Sequence, residues 1–187
     1  MRTLYHFPLQ PQSRKVRLLL KEKHLDCDLV VERPWERREA FLHLNPACET
    51  PVLTEDAGLI LSGDYAITEY LEEAYEEPAL FGRSRGERAE VRRISAWFDG
   101  KFNREVTQLL LEEKIGKRLY GRGGPDSNAL RAGKANIHVH LHYVGWLIDR
   151  RNWLAGDEMS LADLAAAAHL SCLDYLGDVP WDEHPVA

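Results

Sequence analysis

Few side chains in this sequence combine a reactive type with a useful spacing. The densest group is His138-Val139-His140-Leu141-His142. Three imidazoles in five residues suggest a metal, but on a helix His138 and His142 share one face while His140 points away. No carboxylate or cysteine stands at ligand spacing to complete a site, so the run reads as packing or surface and no metal is expected. Cys27, Cys48 and Cys172 are odd in number and form no Cys-x-x-Cys pair, which suggests neither a disulfide framework nor a cysteine zinc site. Cys48 has no cation beside it to hold a thiolate and reads as a plain loop cysteine. Gly121-Arg122-Gly123-Gly124 lacks the lysine and hydroxyl residue of a phosphate loop and reads as a turn.

Charge is more informative. Lys114, Lys117, Arg118 and Arg122 fall within nine residues, with Tyr120 among them, beside that glycine-rich turn. Cations suit a helix C-terminus, but four on a chain of net charge −6 exceed what one helix end needs. Such a patch fits an acidic protein partner and salt-dependent association. The acidic balance argues against a general attraction to nucleic acid. Glu69, Glu72, Glu73, Glu76 and Glu77 read as one solvated helix face. No run approaches the ~18 consecutive apolar residues of a membrane helix, and the first residues lack a secretory signal, so a cytoplasmic protein is expected.

These residues must be positioned by elements whose signals change partway along the chain. Arg2–Phe7 reads as a strand with Leu4 and His6 on one side. Ser13 stands where an N-cap would open a first helix. Asp28–Glu32 is β-prone, Trp35–Leu44 reads as a short irregular helix closed by Asn45-Pro46, and Val52–Thr54 with Leu59–Leu61 reads as a hairpin. Asp64 precedes a helix to about Tyr75. Beyond residues 78–86, taken as a linker, strand signals stop. Residues 87–119, 128–151 and a segment opened by the Ser160-Leu161-Ala162-Asp163 cap are helical. Trp97, Trp146 and Trp153 read as core. The expected organisation is a thioredoxin-like α/β domain over 1–77 and an all-α domain over 87–187.

Four pieces, in order and at the right intervals, resemble the glutathione transferase superfamily. They are Ser13-Arg14-Lys15-Val16-Arg17, Asn45-Pro46 with Thr50-Pro51-Val52-Leu53, Ala66-Ile67-Thr68-Glu69-Tyr70-Leu71, and Ser160-Leu161-Ala162-Asp163. The resemblance implies a cis bond before Pro51, with the Thr50 backbone presented to an extended peptide ligand. It also implies a carboxylate site at the start of the third helix, at Gly63 and Asp64. The family's thiol-activating tyrosine and serine positions fall on His6 and Gln10, which leaves His6 and Ser13 as weak catalytic candidates. Asp64 and Glu49 add negative charge where a ligand carboxylate would sit. The vestigial site is therefore Ser13, Thr50, Pro51, Gly63 and Asp64, with no cofactor expected.

Tyr5-His6-Phe7-Pro8-Leu9, Trp35 and the basic segment further resemble the superfamily's FtsZ-binding cell-division branch. That resemblance implies a cytoplasmic, non-catalytic homodimer that binds FtsZ polymers at the division site, with Lys114, Lys117, Arg118, Arg122 and Trp35 as partner contacts. The alternative is a glutathione-dependent transferase with an altered site. Members of the superfamily continue with further helix, so a C-terminally shortened chain is expected.

Overall fold

The computed structural model describes residues 2–186, apart from the Ala57 side chain; Met1 and Ala187 lie outside the described residues. These residues form two compact units, one running through Leu80 and one starting at Phe81.

In the first unit the order is β1 (Thr3–His6), α1 (Pro11–Glu22), β2 (Asp28–Val31), α2 (Glu39–Leu44), β3 (Val52–Thr54), β4 (Ile60–Ser62) and α3 (Asp64–Ala74). The sheet runs β2-β1-β3-β4. β1 and β2 are parallel because α1 crosses over between them, whereas β3 and β4 are antiparallel neighbours joined by a short turn. This is the thioredoxin-like arrangement. Leu4 and Leu53 face each other across β1 and β3 and are fully buried. Val16 and Leu19 of α1 and Ile67 and Leu71 of α3 are buried as completely, and α1 packs against α3. Each such side chain contributes about 1.5–3 kcal/mol by leaving water. Leu59–Leu61 was expected as the second hairpin strand; the pairing lies at Ile60–Ser62 after a short helical turn at Asp56–Gly58.

α1 starts at Pro11, whose fixed φ suits a first helical position, so Ser13 lies inside the first turn and Gln10 is the N-cap. Glu72 is not on a solvated face. It is buried and holds Lys23 Nζ at 2.8 Å. Lys23 also donates to the carbonyls of Tyr75 (2.6 Å) and Pro78 (2.9 Å), and Glu72 accepts from the Leu80 N–H at 3.3 Å. A buried ammonium needs such a full set of partners, and this one ties the end of α1 to the end of α3 and the chain that follows.

The second unit is helical. Ser84 and Glu87 form a reciprocal capping box that opens α4 (Arg85–Ala96) two residues before the expected helix start. The same rod continues over Trp97–Gly116 in wider π-type turns and ends in α5 (Lys117–Leu119). The Lys117 N–H accordingly reaches back five residues to the Glu112 carbonyl. Asp126 caps α6 (Ser127–Ile148), and Ser160 with Asp163 caps α7 (Leu161–Tyr175) as the motif predicts. α6 lies so close to the rod that a Cβ at Gly133 would come within 2.8 Å of Leu110 Cγ. Trp97 is half-buried and its indole N–H donates to His140 Nδ1 at 3.1 Å. Trp146 and Trp153 are exposed, correcting their assignment to the core.

Candidate functional site

The loop from Asn45 to Pro51 is built by its own first residue. Asn45 Nδ2 donates to the Glu49 carbonyl at 2.8 Å, and its Oδ1 accepts from the Ala47 N–H at 3.1 Å. The side chain thus does the work of a backbone turn. Thr50–Pro51 is cis, as the resemblance implies. Among the described residues, the Thr50 N–H and C=O make no hydrogen bond, which leaves this backbone available to an extended ligand. Cys48 sits in the left-handed region at φ 55° with its thiol buried against Phe41 and Val52, where its Sγ–H points to the Pro34 carbonyl at 3.4 Å.

The side chains facing that loop from the start of α1 are committed to one another. Gln10 Oε1 accepts from Ser13 Oγ at 2.8 Å and from Thr50 Oγ1. Ser13 Oγ also accepts from the Phe7 N–H at 3.3 Å and is fully buried. The hydroxyl therefore braces the turn after β1. His6, the other weak catalytic candidate, is buried with no hydrogen-bond partner on Nδ1. Burial, with the nearby Arg17 charge, pushes its pKa down to about 4. The ring is neutral near pH 7 and brings no positive charge with which to stabilise a thiolate.

At the start of α3, Gly63 takes a φ of 87° and donates its N–H to the Pro51 carbonyl at 3.0 Å, joining the helix to the cis-proline turn. Asp64 is the first residue of α3 and the Gly63 backbone caps it, rather than Asp64 preceding the helix as expected. Its carboxylate meets Lys15 Nζ at 2.5 Å, and the Lys15 side chain is only 2% exposed. The sequence reading treated Asp64 as a lone negative charge; the charge is in fact neutralised from within. Lys15 escaped that reading. Its signal was present, since position 15 falls on the buried stripe of α1 with Val16 and Leu19, where a lysine requires an acidic partner.

The basic segment is also less bare than its composition suggests. Lys114 Nζ binds Asp178 at 2.5–2.6 Å, with the Asp178 side chain 1% exposed. Lys117 pairs with Glu113 at 2.6 Å and Arg122 with Glu112 at 3.3 Å, while the Arg122 guanidinium lies 4.6 Å above the Tyr120 ring. The Asp126 N–H and the Lys117 ammonium together hold Glu113 below the usual carboxylate range. The expected surplus of four cations thus reduces to Arg118, which is exposed and has no acidic partner among the described residues. Trp35, in a turn at Pro34–Glu36, is half-buried and packs edge-on against Phe7 at 5.1 Å. It belongs to the first unit, so the basic segment and Trp35 are on different units.

His138 and His142 share a face of α6, as their spacing requires, and His140 turns inward between Trp97 and Glu105. The sequence reading missed a third partner: His184 Nε2 lies 2.9 Å from His138 Nδ1. Among the described residues no group of three or more histidine, cysteine, aspartate or glutamate side chains is arranged to hold a metal ion.

With this geometry in view, residues 4–79 match the family profile described as Glutathione S-transferase, N-terminal domain. FtsZ-localized protein A of Caulobacter vibrioides is 50% identical over 189 residues, covering all of this chain and 83% of that protein. The crystal structure of a glutathione S-transferase from Rhodospirillum rubrum F11 superposes with a TM-score of 0.96 at 57% identity, over 99% of this chain and 83% of that one. The structure of FzlA from C. crescentus gives a TM-score of 0.95 at 50% identity, with the same coverage.

Proposed function

This chain belongs to the glutathione transferase family, and from that premise we propose that it is a non-catalytic member that associates with FtsZ polymers and regulates bacterial cytokinesis. The observation that carries the reading is full-length similarity to an FtsZ-localized relative, together with the Lys15–Asp64 pair at the start of α3 and the Ser13–Gln10 bond. A peptide carboxylate approaching the start of α3 meets an existing Lys15–Asp64 pair, and the hydroxyl nearest the loop is buried in a bond to Gln10. A carboxylate binding there faces the Asp64 charge and competes with it for Lys15. A homodimer in the cytoplasm, drawn to the division site by FtsZ, completes the proposal.

The basic segment supplies one contact through Arg118, with Arg122 able to exchange the exposed Glu112 for an acidic partner. Trp35 supplies a contact on the first unit. The test is co-sedimentation with FtsZ polymers at low and high salt. Recovery in the pellet at low salt, reduced at high salt, supports the reading; absence from the pellet at both overturns it.

A second reading keeps glutathione chemistry. The cis Thr50–Pro51 turn is retained, and a relative at 57% identity is described as a glutathione S-transferase. Calorimetry separates the two, because micromolar glutathione binding supports the enzyme and an absence of heat supports the scaffold.

A further inference from the structure

The chain after α7 folds back along α6 and is held at three points. Trp181 Nε1 donates to Asp174 Oδ1 at 2.7 Å at the end of α7. His184 is 7% exposed, with its ring 5.1 Å from that of His138 and 4.9 Å from that of His142. Val186 lies over Gly145, where an added Cβ would come within 4.0 Å of its side chain. The middle point is chemically unusual, because it packs three imidazoles together and joins two of them by one hydrogen bond.

We propose that His184, seated against His138 and His142, is a pH-operated latch that holds residues 181–186 on α6 and releases them on mild acidification. The 2.9 Å contact between His138 Nδ1 and His184 Nε2 needs one nitrogen to donate and the other to accept. With both rings protonated there is no acceptor and two cations face each other. The charged and titratable groups facing His184 are His138 and His142 from α6 and Glu183 from its own segment. Glu183 Oε2 lies 3.8 Å from His138 Nδ1. One proton on the pair leaves the bond intact, since an imidazolium still donates to a neutral ring. A second proton removes the acceptor. Asp178, nearby in sequence, is engaged by Lys114 and Lys134.

The sign of the linkage follows. Burial, then repulsion from His142 and His138, holds His184 below its ordinary pKa in the latched state. Released into water, the ring titrates at about 6.5. The latched form binds fewer protons, so it is fully favoured above about pH 6.5 and loses ground as pH falls. The released population rises about tenfold per pH unit until the latched value is reached.

Hydrogen exchange on the full chain at pH 7.5 and 5.5, with rates normalised to an unstructured peptide, reads this directly. Protection of the Glu183 and His184 amides, which donate to the Pro180 and Trp181 carbonyls, is expected to fall by up to about tenfold at pH 5.5 while the core of α6 is unchanged. His184→Phe keeps a ring in the seat and is expected to show equal protection at both pH values. Unchanged protection in the parent chain, or the same fall in His184→Phe, overturns the latch. An NMR titration of the His184 ring in the parent chain decides the case independently of the variant. A midpoint well below 6.5 supports the latch, and one at or above 6.5 overturns it.

Discussion

The start of α3 and the end of the basic rod each carry paired opposite charges, but the pairs differ in kind. At α3, Lys15 is almost fully enclosed and Asp64 is its partner at 2.5 Å. At the rod, Arg122–Glu112 stands in solvent, and Lys117 is partly exposed over a more covered Glu113. The units differ in the same way overall. Residues 1–80 carry nine basic and fifteen acidic side chains, hence the whole net charge of −6, whereas residues 81–187 carry fifteen of each. The acidic unit buries two of its three lysines, Lys15 and Lys23, as internal fasteners, and the balanced unit leaves much of its charge at the surface. A buried pair resists disruption because removing one partner strands the other out of water. An exposed pair can exchange partners at little cost. The proposed vestigial site and the proposed basic partner contact therefore fall on different units.

The largest expected effect tests the enclosed pair. Asp64→Ala removes the 2.5 Å ion-pair partner of the buried Lys15 and should destabilise the first unit by about 3–5 kcal/mol in urea titration. Replacing both residues with apolar ones of similar volume should recover most of that loss. If the double variant is no better than the single, the pair is not acting as an internal fastener.

Lys114→Ala is the counterpart on the other unit, since it deprives the buried Asp178 of its nearest cation. Lys134 remains 3.8 Å away and partly compensates. A loss of about 2–3 kcal/mol is expected, which would make Lys114 structural and set it apart from its basic neighbours.

His6 gives a pH-dependent effect. Its folded pKa of about 4 lies below the ordinary ~6.5, so the unfolded chain binds the extra proton first. Stability of the first unit is fully present above about pH 6.5 and falls as pH drops toward 4. His6→Leu should flatten that slope between pH 6.5 and 4.5. An unchanged slope would show that other groups set it.

The smallest effect on stability belongs to Lys117→Glu with Arg118→Glu. The urea midpoint should scarcely move, while co-sedimentation with FtsZ polymers at low salt should be lost. Unchanged pelleting would remove the basic segment from the proposed surface.

Much was determined by the sequence alone. Alternating burial marked β1, the Ser160–Asp163 box marked the start of α7, and Thr50-Pro51 marked the loop, because each depends on neighbours a few residues apart. Ser84–Glu87 has the same local signature, but it straddles the end of residues 78–86, which read as a linker. What only the tertiary structure decided was pairing across distance. Lys15 with Asp64, Lys23 with Glu72, Lys114 with Asp178 and His138 with His184 are 46 to 64 residues apart. Burial makes such partners obligatory, but no local spacing says which distant residue will supply them. Composition therefore revealed that charges were present, and the fold alone decided which were already spent on each other.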